Sequence, residues 1–299
     1  MAHGEVPQPH DALHVAAADG VTLSVRRHGS PVSPCRVLMS HGIGLAANAY
    51  FPFWSQFTER FDVVVYDMRC HGHSDVGPLD TLNVPTLVDD SRLVLKAVQR
   101  AWGTKPTVGV LHSLGAVVGL LHAVQEADFA GLVLFDPPVW PTDGMPGDME
   151  ARVQRTAKMA RRRRDRFEHP GQLAEALAGA PPFRLVPRST LELIACSTLV
   201  EEGDEWRLRC PPAHEARLAE WTFGFTMQLP DVIGSLPIPV KVIGADPTVP
   251  FSFLPTIDMS DLITIGYDFV PDHSHFLQFE NPTLTSSLVA DFLESLELA

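Results

Sequence analysis

Three side chains scattered along the chain, Ser113, Asp246 and His275, are of the types and in the settings that acyl-transfer chemistry needs. Ser113 sits in Leu111-His112-Ser113-Leu114-Gly115, between a short apolar strand signal at 107–111 and a helical pattern at 116–125. A serine at so tight a strand-to-helix turn is held out of the sheet at the positive end of the following helix. The N–H of Leu114 is then free to donate to a developing oxyanion. His41-Gly42-Ile43-Gly44 ends another strand signal and offers the N–H of Ile43 as a second donor. A serine must lose its proton to a base, and His275, in Ser274-His275-Phe276, is of the right type. The base needs a carboxylate to fix its tautomer, and Asp246 follows the strand signal at 240–243. Taken alone, Ser113 could equally be a serine capping a helix; the set of features in one order is what favours chemistry.

These residues must be positioned by a sheet. Residues 12–17 and 21–26 alternate around Asp19-Gly20, the pattern of an antiparallel hairpin. The later strand signals, at 36–39, 62–66, 107–111, 131–135, 240–243 and 264–269, are apolar throughout, as a parallel sheet covered on both faces requires. Amphipathic helical patterns at 87–102, 116–125 and 284–298 separate them. Strand–helix alternation of this kind predicts an α/β fold: a mainly parallel sheet of about eight strands flanked by helices. The rhythm breaks between Pro137 and Pro237, where strand signals are lacking and helix formers and prolines abound. The expected organisation is a core of residues 1–137 and 238–299, with a helical insertion, 138–237, over the strand ends.

Composition narrows the partners. A formal net charge of -13 over 299 residues disfavours nucleic acid and anionic membrane surfaces. Cys35, Cys70, Cys196 and Cys210 have no paired spacing, so neither a disulfide framework nor a zinc site is expected. With no basic, apolar leader in the first twenty residues, the expected setting is cytoplasmic. The most apolar window, 108–124, contains His112, Ser113 and His122 and reads as strand, turn and helix rather than a membrane span. The expected partner is a small-molecule substrate, with no cofactor and no metal. Oligomeric state is left open.

Taken together, the chain resembles the α/β-hydrolase superfamily over nearly its whole length apart from the insertion. The order Ser, Asp, His is that superfamily's triad order. Asp67-Met68-Arg69-Cys70-His71-Gly72-His73-Ser74 resembles its D-x-R-G-x-G-x-S loop, and His275-Phe276 through Glu280 and Pro282 resembles its G-H-F…E-x-P stretch. The insertion after strand six lies where the family carries its cap. There are three departures: Leu111 replaces a small residue, Cys70 replaces a glycine, and Ser274 replaces a glycine. Leu111 must point away from the helix, or the elbow must open. The family also provides a rival acid, because some members place it after strand six, at Asp136. The segment Phe135-Asp136-Pro137-Pro138 resembles members whose acid follows strand seven, which favours Asp246.

Other residues have quieter readings. His112 is expected to pack or hydrogen-bond near the site rather than serve as the base, and His273 is the runner-up base. His71 and His73 with Cys70 could suggest a metal cluster, but the D-x-R loop explains them better. Arg161-Arg162-Arg163-Arg164 reads as a solvated helical face, or as an entrance that attracts anionic substrates. Trp140, Phe167, Phe183, Trp206, Trp221, Phe223 and Phe225 could line an acyl pocket or form the insertion's own core. The resemblance implies a serine hydrolase of a carboxylic ester or related acyl bond (thioester, lactone). Carbon–carbon bond hydrolysis or cofactor-free haloperoxidase or perhydrolase chemistry shares the same triad. A ligand-binding homologue without turnover is the alternative of a different class. A serine at the elbow argues against dehalogenase and epoxide hydrolase chemistry, which this family performs with aspartate.

Overall fold

The computed structural model describes residues 6–138, 149–225, 236–249 and 267–298. An eight-stranded sheet runs in the order β1-β2-β4-β3-β5-β6-β10-β11. Its members are β1 (Asp11–Ala16), β2 (Thr22–Arg27), β3 (Arg36–Ser40), β4 (Asp62–Tyr66), β5 (Thr107–His112), β6 (Gly131–Phe135), β10 (Val240–Ala245) and β11 (Tyr267–Val270). The β1–β2 and β2–β4 pairs are antiparallel, and the rest of the sheet is parallel. The continuous apolar runs have the meaning expected of them: every residue of β3, β4, β5 and β6 is buried. The last strand signal begins partly outside the described residues, which resume at Tyr267.

The flanking helices start and stop on local chemistry. Helix α2 (Val84–Trp102) opens where the Asn83 side chain accepts the N–H of Thr86, and ends at Gly103, whose φ of +83° suits glycine. Its apolar positions, Leu87, Val88, Val94, Leu95 and Val98, face the sheet and are buried. Helix α3 (Leu114–Gln125) follows β5 without a linker other than Ser113. At the C-terminus, Asn281 caps a helix at Pro282–Ser295 by accepting the N–H of Leu284.

Between β6 and β10 the chain is not purely helical, contrary to the sequence reading. Helices α4 (Met149–Arg161), α5 (Pro170–Ala178), α6 (Arg188–Thr198) and α7 (Pro212–Phe225) are accompanied by a small antiparallel sheet. That sheet consists of β7 (Arg166–Phe167), β8 (Leu199–Glu202) and β9 (Glu205–Leu208), in the order β7-β9-β8. Its hairpin turns at Gly203-Asp204, with Gly203 at φ +67°. These strands carry Glu201, Glu202, Glu205 and Arg207, so a search for apolar runs passes over them; the Gly-Asp turn was the available signal. Ala157, Ala160 and Ala216 let α4 and α7 pack closely. The insertion contacts the core through Phe183, stacked on Phe276 at 4.4 Å between ring centres, and through Arg209, which donates to the carbonyl of Gly72. Among the described residues no helix is long and apolar enough to cross a membrane.

Candidate active site

Ser113 occupies a backbone conformation rare for a side chain with a Cβ, φ +53° and ψ −117°. Such a conformation costs on the order of 1–3 kcal/mol and persists only where neighbours over-determine it. Here they do. The Ser113 N–H donates to Phe135 at the end of β6, and the Gly115 N–H donates to the carbonyl of His41 beyond β3. The turn is thus stitched to both neighbouring strands. Gly115 has to be glycine, because a Cβ there would lie 2.7 Å from the His41 carbonyl oxygen.

Leu111 is accommodated by a route other than the two expected. Its side chain is buried and points at helix α3, with Cδ1 only 2.0 Å from where a Cβ on Gly119 would sit. The missing side chain of Gly119 makes the room for it.

The structure brings the candidate base against the serine: His275 Nε2 lies 3.0 Å from Ser113 Oγ. The carboxylate against it is Asp136, which corrects the preference for Asp246. Asp136 Oδ2 is 2.6 Å from His275 Nδ1, and its Oδ1 accepts the N–H of Ala245 at 3.0 Å. The cause is a tight turn after β6. Asp136 takes φ +37° and donates its own N–H to Ile243, so its side chain projects from the β6 end between β5 and β10. Asp246 is fully occupied elsewhere. Its Oδ1 accepts the N–H and hydroxyl of Thr248, and its Oδ2 accepts the N–H of Asp272. These hydrogen bonds, led by that from Thr248, hold its carboxyl below the usual aspartate range. Its N–H also donates to the carbonyl of His273, so Asp246 braces the loop that carries His275. His273 itself turns away, its Nδ1 paired with the carbonyl of Pro271.

Ser113, Asp136 and His275 are all buried. Beside them, the backbone N–H groups of Ile43 and Leu114 have no acceptor among the described residues. Leu114 directly follows Ser113, and Gly42, which precedes Ile43, packs against the serine, where an added Cβ would lie 3.1 Å from the Ser113 Cβ. The loop carrying Ile43 is fixed by His41. The His41 Nε2 accepts the N–H of Met68, which leaves Nδ1–H to donate to the carbonyl of Gly42. Burial, then the neighbouring His71, pushes the His41 pKa down to about 3, so its ring is neutral. Asp67 anchors the same region, accepting from Ala47, His73 and Arg26.

Tyr50 is the part of the site that gave no signal in the sequence. The Tyr50 hydroxyl lies 2.6 Å from His112 Nδ1 and accepts the N–H of Gly42 at 3.1 Å. His112 Nε2 lies 2.9 Å from the carbonyl of His275. The polarities close in one way only: Gly42 N–H to Tyr50 oxygen, Tyr50 O–H to His112 Nδ1, and His112 Nε2–H to the carbonyl of His275. Burial holds the Tyr50 pKa up and the His112 pKa well down, the latter aided by His275, which keeps both groups neutral for this chain.

The insertion's charged and aromatic residues divide. Arg161 pairs with Glu220, Arg163 with Glu215, and Arg164 bonds the carbonyl of Arg166 and the side chain of Gln172. Most of the arginine run therefore ties the insertion to itself. Arg163 and Glu215 alone of these come close to Gly44, each 3.3 Å from where a Cβ would stand. Phe167 is buried within the insertion and covered by Arg164, whereas Phe183 stacks on Phe276, next to the base. Trp206 and Trp221 are half-buried. Trp140 and the side chains of Phe223 and Phe225 lie outside the described residues. Cys70, His71 and Cys210 meet with their donor atoms within 4.8 Å of one another, while His73 turns to Asn48.

Comparison with known proteins identifies the family and the fold. Residues 37–287 match the profile of the alpha/beta hydrolase family. The 2-(acetamidomethylene)succinate hydrolase of Mesorhizobium japonicum is 25% identical over 278 residues, which covers 92% of this chain and 92% of that protein. A crystal structure of E-2-(acetamidomethylene)succinate hydrolase superposes with a TM-score of 0.75 at 22% identity, covering 95% of this chain and 99% of the other. A thermophilic esterase from Thermogutta terrifontis superposes with a TM-score of 0.69 at 22% identity, covering 96% and 99%.

Proposed function

This chain belongs to the alpha/beta hydrolase family, and from that premise we propose that it hydrolyses a carboxylic ester or related acyl bond of a small molecule through an acyl-enzyme on Ser113. The observation that carries the reading is the continuous contact from Ser113 Oγ through His275 to Asp136 at a strained, buried turn. In this reading His275 Nε2 takes the Ser113 proton as Oγ attacks the carbonyl carbon. The N–H groups of Ile43 and Leu114 stabilise the oxyanion. Asp136 holds Nδ1–H and stabilises the imidazolium. His275 then protonates the leaving group, and water repeats the sequence on the acyl-enzyme.

The similarity to a hydrolase of 2-(acetamidomethylene)succinate adds an N-acyl bond in a small dicarboxylate to the candidate substrates. Two measurements test the proposal. A fluorophosphonate should label Ser113 and fail on Ser113→Ala. A turnover panel should then contain p-nitrophenyl esters of increasing chain length, a thioester, a lactone, an N-acyl enamine dicarboxylate and a β-diketone as the carbon–carbon substrate. Absence of labelling on folded protein, where known serine esterases react, would overturn the acyl-enzyme. Labelling with turnover of carbon–carbon substrates alone would overturn the bond class.

A further inference from the structure

The triad makes no use of the thiol pair at the junction of insertion and core. Cys70 lies in the loop after β4, and Cys210 lies between β9 and α7, 140 residues later. Their sulfurs are 3.4 Å apart, and both side chains are buried. The backbone makes this pairing unusual. Cys70 adopts φ +62°, the left-handed region that favours glycine, and the loop places a thiol there instead. That side chain reaches across to the insertion. The adjacent His71 is engaged at both ring nitrogens: Nδ1 with the carbonyl of Arg69, and Nε2 with the N–H of Gly44 in the loop carrying Ile43. His71 would have to give up one of those bonds to bind a metal, whereas the two sulfurs need only approach each other.

We propose that Cys70 and Cys210 are a redox pair whose oxidation to a disulfide fastens the insertion to the core beside the Gly42–Gly44 loop. The oxidant is a peroxide. One thiolate attacks a peroxide oxygen, the O–O bond breaks, and the departing hydroxide is protonated to water, leaving a sulfenic acid. The sulfur of the second thiol attacks that sulfur, the S–O bond breaks, and the departing hydroxide takes the second thiol's proton and leaves as a second water. Two thiols and one hydrogen peroxide thus give one disulfide and two waters, with two electrons passing from sulfur to oxygen. The sulfurs must close from 3.4 Å to about 2.05 Å, a movement within reach of two loops. Because Cys210 immediately precedes α7, which carries Glu215, the bond would also fix the Arg163–Glu215 pair over Gly44.

The test uses the full-length protein with exposed Cys196 replaced by serine, so that intermolecular bridging is removed. Hydrogen peroxide treatment, alkylation after unfolding and peptide mapping should yield a Cys70–Cys210 cross-linked peptide, with loss of two hydrogens from the intact mass. Dithiothreitol should reverse it. Hydrogen exchange over residues 205–215 should slow in the oxidised form and be unchanged by peroxide in Cys210→Ala. Cys70→Gly, which suits the positive φ, should fold and lose both effects. Recovery of both Cys70 and Cys210 fully alkylated after peroxide would overturn the proposal. So would a cross-link to Cys35, or equal slowing of exchange in the two variants.

Discussion

His112 and His275 are joined by a hydrogen bond from the ring of the first to the backbone carbonyl of the second, 2.9 Å long and fully buried. The residue beside Ser113 therefore holds the peptide that carries the His275 ring. Through Tyr50 the same ring is linked to Gly42, beside the candidate oxyanion donor Ile43. Tyr50→Phe removes one hydroxyl and strands two buried partners, at a cost of about 1–3 kcal/mol in stability. Turnover should fall about tenfold or more, with kcat affected more than KM, because alignment rather than binding is disturbed. Urea unfolding and steady-state kinetics on one ester check both parts. A pure stability loss with unchanged kcat would leave the chain a structural feature only.

The two aspartates should separate in a kinetic comparison. Asp136→Asn keeps the shape but loses the charge against His275, and kcat should fall about 10³–10⁴-fold. Asp246→Asn weakens the bracing of Thr248 and Asp272 and should cost about tenfold or less. The reverse ranking would restore Asp246 as the acid.

Leu111 and Gly119 should behave as one unit. Gly119→Ala drives a methyl into Leu111 Cδ1 and should destabilise by about 1–3 kcal/mol. Leu111→Ala leaves a cavity worth about 2–5 kcal/mol. The double variant should lose less than the sum of the two, which a double-mutant cycle in urea measures directly.

Acid should weaken the protein well above the pH at which carboxylates titrate. Burial, then the neighbouring His71, holds folded His41 at about 3, whereas the unfolded chain takes its proton near the ordinary 6.5. The folded pKa is the lower one, so the unfolded state binds more protons between those values. Stability is full above about 6.5 and declines as pH falls toward 3. At pH 5 the loss from this ring alone should be roughly 2 kcal/mol. Urea midpoints at several pH values would show it, and His41→Gln should flatten the slope. A slope identical to that of the natural protein would remove His41 from the account.

Much of this arrangement is legible in the sequence. Ser113 was legible because an apolar strand and a helix meet on it, and His275 because Phe276, Glu280 and Pro282 fix its register. The acid was not, for a physical reason. β6 and β10 are neighbours, each is followed at once by an aspartate, and either choice gives the order Ser, Asp, His. Which carboxylate turns inward depends on the φ of Asp136 and on the Thr248 and Asp272 donors, none of which a linear pattern encodes. Tyr50 was illegible for a similar reason, since its partners are 8 and 62 residues away. The fate of Leu111 depended on a glycine two turns into the next helix.

The tight turn at Asp136 also sets a rule for building chimaeras. Asp136, which contacts His275, is the first residue past β6, and the described chain leaves it through Pro137-Pro138 on the way to the insertion. A foreign insertion spliced upstream of those prolines would replace the residue that touches the His275 ring. Spliced after Pro138, it would exchange the inserted segment and keep the Asp136–His275 contact of the recipient.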